Sequence, residues 1–186
     1  MSATTVPRSA GVASSLRSLY FVRFAFQIVW AIVLILSASA GLGPVSITLL
    51  LIYPLFDVAA AVVDHRASRG TGPSPLLFVT MGLSLLAAVG LAFAVTSGVS
   101  AVMVVWGLWA ITAGAVQLVV ALLRRRLGGQ WPMILSGGIS VLAGASFLLG
   151  AAKAESVVNV GGYAVLGAVF FLVSAIRLHG AAKSDR

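Results

Sequence analysis

Apolar residues run along the chain in six blocks of about twenty residues, separated by short polar or glycine- and proline-bearing breaks. A helix needs about twenty apolar residues to cross a hydrocarbon core ~30 Å thick, and it satisfies every backbone group internally. The pattern predicts spans over about 20–40, 45–64, 76–95, 101–123, 131–151 and 157–178. Gly41 to Pro44 reads as a tight turn, Pro73 and Pro75 suit a helix start, and Gly128 and Gly129 turn the chain. Residues 1–18, rich in Ser, Thr and Ala, read as a flexible cytoplasmic tail, and 181–186 as a short polar one. One rival reading concerns the first block. Residues 24–36 have the length of a signal-peptide core, and Ser37-Ala38-Ser39-Ala40 resembles a cleavage site that would remove 1–40.

Taken two blocks at a time, the chain repeats. Arg23/Gln27/Ala31 matches Thr80/Ser84/Ala88 and then Ser136/Ser140/Gly144, each triplet spaced i, i+4, i+8 down one helix face. Ala113 to Arg124 (AGAVQLVVALLR) likewise matches Leu166 to Arg177 (LGAVFFLVSAIR). The second block fits loosely, with Asp57 near the place of Gly114 and Gly167. The expected fold class is therefore an all-α integral membrane protein, with six transmembrane helices as three repeated helical hairpins. The hairpins fall at about 19–66, 75–126 and 131–178 of one domain over 19–180. The small and hydroxyl residues of the triplets are expected to serve helix packing.

Composition agrees: 60% of residues are hydrophobic and 9% charged, where soluble domains carry about 25% charged residues. A net charge of +8 raises nucleic acid as a partner, but the charges punctuate apolar blocks instead of forming a face, which excludes it. They carry topology instead. Eleven of the twelve Lys and Arg fall on the side of the two termini and only Lys153 on the other, which places both termini in the cytoplasm. Tyr20 and Trp131 sit where interfacial aromatics are expected. The chain has no cysteine, hence no disulfide, thiolate metal site or cysteine nucleophile.

The stretch from Leu49 to Arg66 (LLLIYPLFDVAAAVVDHR) carries the candidate chemistry. A carboxylate at membrane depth costs roughly 2.5–3.5 kcal/mol on insertion scales and marks a functional site by default. Tyr53, Asp57, Ala61 and Asp64 share one helix face, and Pro54 frees the carbonyl of Leu50 one turn from the acid. At ~1.5 Å per residue Asp57 lies ~10 Å deep and Arg23 ~7 Å deep, with Gln27 and Gln117 at similar levels. Three accounts stay open: an Arg23–Asp57 ion pair, a protonatable Asp57, or a solvated carboxylate. Arg124, Arg125 and Arg126 are candidate contacts for lipid head groups, or simply fix orientation. His65 and His179 fall in a loop and a tail at spacing unsuited to a metal. There is no H-E-x-x-H, G-x-S-x-G or phosphate-cradling glycine loop, and Asp57 and Asp64 lie on one helix and cannot form a dyad across a bond. No enzyme activity, cofactor or metal is expected.

WAITAGAVQLVVALL, ILSGGISVLAGASFLLG and YAVLGAVFFLVSAIR, in three hairpins over about 20–180, resemble the HdeD-like membrane proteins. The resemblance implies a bacterial inner (plasma) membrane protein with six spans and a part in acid or general membrane stress. It carries over no catalytic residue, and Asp57 departs from the pattern. The leading expectation is a non-enzymatic protein of this kind. The alternatives are a small proton-linked transporter or channel using Asp57, and an assembly subunit. The partners are the bilayer and, in the subunit reading, a second copy or another membrane protein.

Overall fold

The computed structural model describes residues 8–38, 41–68 and 73–184, with side chains described from 11 to 178 within those ranges except at Ser74. Six α-helices follow one another: α1 (Arg8–Ala38), α2 (Pro44–Ala67), α3 (Ser74–Ser97), α4 (Val99–Leu123), α5 (Trp131–Gly150) and α6 (Val158–Ser184). Short 3-10 turns follow α4 at Arg125–Leu127 and α5 at Ala151–Lys153. All six helices are long and apolar enough to cross a membrane, so the chain is a multi-pass membrane protein. Large apolar side chains point outward, among them Leu36, Leu86, Phe93, Leu142 and Leu149, as a lipid-facing surface requires.

Four of the six helices start and stop close to the expected boundaries. The larger exception is α1, which is already helical at Arg8, inside the segment expected as a flexible tail. Val12, Ala13 and Leu16 explain the difference. They repeat at helical spacing and bury themselves with Tyr20, Ala121, Met133, Phe171, Ala175 and Leu178 at the arginine-rich end of the bundle. Helix α6 also continues past its span to Ser184, into the expected polar tail. Ser39 and Ala40 of the cleavage-like site, residues 1–7, 69–72 and 185–186, and the side chain of His179 lie outside the described residues.

Each helix packs on its neighbours in sequence, and α6 returns to α1, so the bundle is a closed ring. Packing does not follow the expected hairpins. The most extensive interfaces are α4 with α5 and α1 with α6, while α5 with α6 and α1 with α2 are among the least. Lipid tails are as apolar as leucine, so close backbone approach decides which helices pack best. Gly107 faces Gly144 and Gly114 faces Gly137 across α4 and α5, so that a Cβ on Gly144 would lie 2.6 Å from the Gly107 carbonyl oxygen. Gly98, at φ 102°, ends α3 and starts α4 in one residue, a backbone state that L side chains rarely adopt.

Two apolar clusters fill the ring. The larger, with Trp30, Leu34, Leu50, Leu91, Trp106 and Val160 among its members, occupies the half away from the arginines. The smaller caps the arginine-rich end. Between them lies the space that holds the polar residues.

Candidate functional site: an intramembrane polar cavity

A cavity of about 110 Å³ lies inside the bundle, between the two apolar clusters. The four residues placed on one face of the second span, Tyr53, Asp57, Ala61 and Asp64, all line it. So do Arg23, Gln27, Thr80, Gln117, Ser136 and Ser140, and so do Gly114 and Gly167, the glycines aligned with Asp57. Thr80, Ser136 and Ser140, expected as packing surface, therefore line an open space, whereas Ala31 lies in the larger apolar cluster and Gly144 packs on Gly107, as that expectation has it.

Arg23 and Asp57 form an ion pair, made by Arg23 Nη2 and Asp57 Oδ1. The other oxygen, Oδ2, accepts a hydrogen bond from Ser84 Oγ at 2.8 Å, and Ser84 Oγ accepts one from Trp109 Nε1 at 3.2 Å. Both carboxylate oxygens are thus engaged. The Arg23 guanidinium also lies over the Phe171 ring, 4.5 Å from its centroid, a cation–π contact. Gln27 is buried, yet its Oε1 has no hydrogen-bond partner. Gln117 reaches only the Met133 carbonyl, at 3.4 Å. Tyr163 donates to Ser140 Oγ at 2.8 Å.

Pro54 is buried. One turn away, Trp30 Nε1 donates to the Leu49 carbonyl at 2.7 Å. Trp30, Tyr53, Trp106 and Trp109 stack and tilt against one another with ring centroids 4.5 to 5.8 Å apart. This aromatic plug closes the cavity towards the far half of the bundle.

The arginine-rich end is closed differently. Arg124 was a candidate either for lipid head groups or for fixing orientation, and the structure corrects the first reading for this residue, whose guanidinium is engaged inside the bundle. Arg124 is 5% exposed, and its Nη1 and Nη2 hold Asp64 Oδ2 and Oδ1 at 2.7 and 2.6 Å. Ser68 Oγ accepts from Arg124 Nη2 at 2.8 Å and donates to Asp64 Oδ1 at 2.9 Å. The reason is Asp64, which faces inward one face-repeat from Asp57 and needs a counter-charge that α3 lacks. Arg125 and Arg126 do remain exposed and available to head groups. Tyr20, expected at the interface, is instead buried 3.5 Å from Gln130 Oε1. Trp131 is exposed, with Arg177 over its ring.

Sequence reasoning did not find Tyr163, Trp109 or the Arg124–Asp64–Ser68 knot as cavity elements. Only Asp64 had a signal, its seven-residue spacing from Asp57. His65, expected in a loop, lies in the last turn of α2 and is partly buried with its ring 4.6 Å from that of Phe78. The Ser84 arrangement supports a definite expectation: Ser84→Ala removes a donor to Asp57 and the acceptor of Trp109, and will cost about 0.6–1.7 kcal/mol in a detergent unfolding titration. An unchanged midpoint would show that neither bond contributes.

The cavity can hold a few water molecules or a small solute, and presents to it two ion pairs, Arg23–Asp57 and Arg124–Asp64, with several hydroxyls and amides. The chain matches no family model, no curated protein and no solved structure.

Proposed function

We propose that this is a non-enzymatic carrier of the bacterial inner membrane, with both termini cytoplasmic, that admits a small polar solute to the intramembrane cavity from the arginine-rich side. The observation that carries the reading is the Arg23–Asp57 pair held against a cavity instead of within solid packing. A pair kept only to pin helices gains from being enclosed; one that must exchange partners needs space beside it. The Arg124–Asp64–Ser68 knot acts as the entrance closure and the tryptophan–tyrosine plug as the opposite one. The threefold repeat belongs to the same proposal, supported by the convergence of its matched positions on one cavity. The HdeD-like resemblance supplies the physiological setting, acid or membrane stress.

Because the chain has no cysteine, single thiols report access cleanly. Ser136→Cys in sealed vesicles is expected to react with a small charged thiol reagent added on the arginine-rich side and to resist it from the other. Ala87→Cys, in the far apolar cluster, is expected to resist both. Ser136→Cys that is as inert as Ala87→Cys, while Arg126→Cys reacts, would overturn the reading.

A further inference from the structure

The two buried ion pairs are built differently. Arg124 spends both terminal nitrogens on Asp64 and shares one of them with Ser68. Arg23 gives Asp57 a single nitrogen, and its Nε makes no hydrogen bond. The Arg23 side chain is 17% exposed against 5% for Arg124. Asp57, by contrast, has both oxygens engaged. Arg23 is thus under-used relative to its carboxylate partner. The same cavity is lined by the Gln117 amide, whose bond to the Met133 carbonyl is long at 3.4 Å, and by the Ser136 hydroxyl. Spare N–H and O–H groups around a half-engaged guanidinium suit an anion.

Size and charge narrow the class. At about 110 Å³ the cavity holds a few waters and lies below the ~300–1,000 Å³ of pockets for drug-sized ligands. The cavity is electrically balanced, Arg23 against Asp57 and Arg124 against Asp64. An anion entering alone would leave an uncompensated charge in a low-dielectric interior, which is heavily penalised. A proton entering with it removes the penalty. Asp57 becomes a neutral acid still bonded to Ser84, Arg23 is released, and Arg23 takes the anion. The net charge is zero before and after.

We infer that the cavity takes a small monovalent anion of the monocarboxylate kind together with one proton, the anion replacing Asp57 as the partner of Arg23 while the proton settles on Asp57. The inference rests on the reading of the cavity as a solute site. The other charged or titratable groups lining the cavity are Tyr20 on α1, Tyr53 and Asp64 on α2, Arg124 on α4 and Tyr163 on α6; α3 and α5 line it with no charged or titratable side chain. Tyrosines keep their protons at neutral pH and Asp64 is held by both Arg124 nitrogens, which leaves Asp57 as the proton's seat.

The test uses the full chain in lipid nanodiscs with glycolate and its neutral isostere glycolamide, followed by calorimetry and by a pH dye in weakly buffered solution. Glycolate is expected to bind at least tenfold more tightly than glycolamide, with uptake of about one proton per glycolate and an affinity falling about tenfold per pH unit on the alkaline side. In Asp57→Asn the proton uptake and the pH dependence vanish while glycolate still binds. Should that variant not fold, the wild-type proton count and the glycolamide comparison decide. Glycolate binding without proton uptake, or glycolamide binding as well as glycolate, overturns the inference. If neither binds while Ser136→Cys is still labelled, the anion assignment falls and the carrier reading stands.

Discussion

Asp64→Ala is expected to destabilise the protein by about 3–5 kcal/mol, because it strands the Arg124 guanidinium inside the bundle without its counter-charge. Arg124→Ala is expected to cost a similar amount, by stranding Asp64. The double change Asp64→Ala with Arg124→Ala removes both charges at once and should recover a large part of the loss, since the penalty comes from an unpaired buried charge more than from the missing bond. Arg125→Ala and Arg126→Ala, on exposed neighbours, should change stability by no more than about 0.5 kcal/mol. Denaturation of the protein in mixed micelles, followed by helix content, measures all five. Strictly additive single losses, or Arg124→Ala behaving like Arg125→Ala, would show that the knot does not hold the arginine-rich end together.

Gly137→Ala and Gly138→Ala are expected to move stability in opposite directions although they are adjacent. A Cβ on Gly137 would stand 2.7 Å from Leu118 N and 2.8 Å from Gly114 O, both backbone atoms, so α4 and α5 must separate. Over-packing of this kind costs about 1–3 kcal/mol, and Gly137→Leu should cost more and split the most extensive interface of the bundle. A Cβ on Gly138 meets nothing within 4 Å. There alanine replaces the poorest ordinary helix former with the best, a gain of up to about 1 kcal/mol. The same unfolding titration reads both. Equal losses at the two positions would mean that the close approach of α4 and α5 does not hold in the membrane.

The legibility of the site varied with the kind of residue. Asp57 stood out because a carboxylate in an apolar block is costly wherever it sits, and Arg23 followed as the nearest cation at similar depth. Tyr53, Ala61 and Asp64 followed from helical spacing alone. Ser84 did not stand out, since a serine in a membrane helix reads as packing until it is seen to donate to a carboxylate. Trp109 and Tyr163 read as apolar bulk, and their N–H and O–H gained meaning only from Ser84 and Ser140 opposite them. Arg124 was indistinguishable from Arg125 and Arg126 in a run of three. Rotation about the end of α4 buries one of them and exposes the other two, and a run of identical residues carries no record of that angle.

Length and hydropathy by themselves determined the number of helices and most of their ends, because a bilayer leaves few ways to satisfy a backbone. The distribution of Lys and Arg set the expectation of which end faces the cytoplasm, and the position of Asp57 marked one helix as polar inside. Only the tertiary structure decided which helices pack most closely, because that depends on Gly107, Gly114, Gly137 and Gly144 meeting in pairs across α4 and α5. It also decided that Arg23, Gln27, Thr80, Ser136 and Ser140 line a cavity. Whether small and hydroxyl residues close a gap or leave one depends on the spacing of backbones set by residues on other helices, and no single span contains that information.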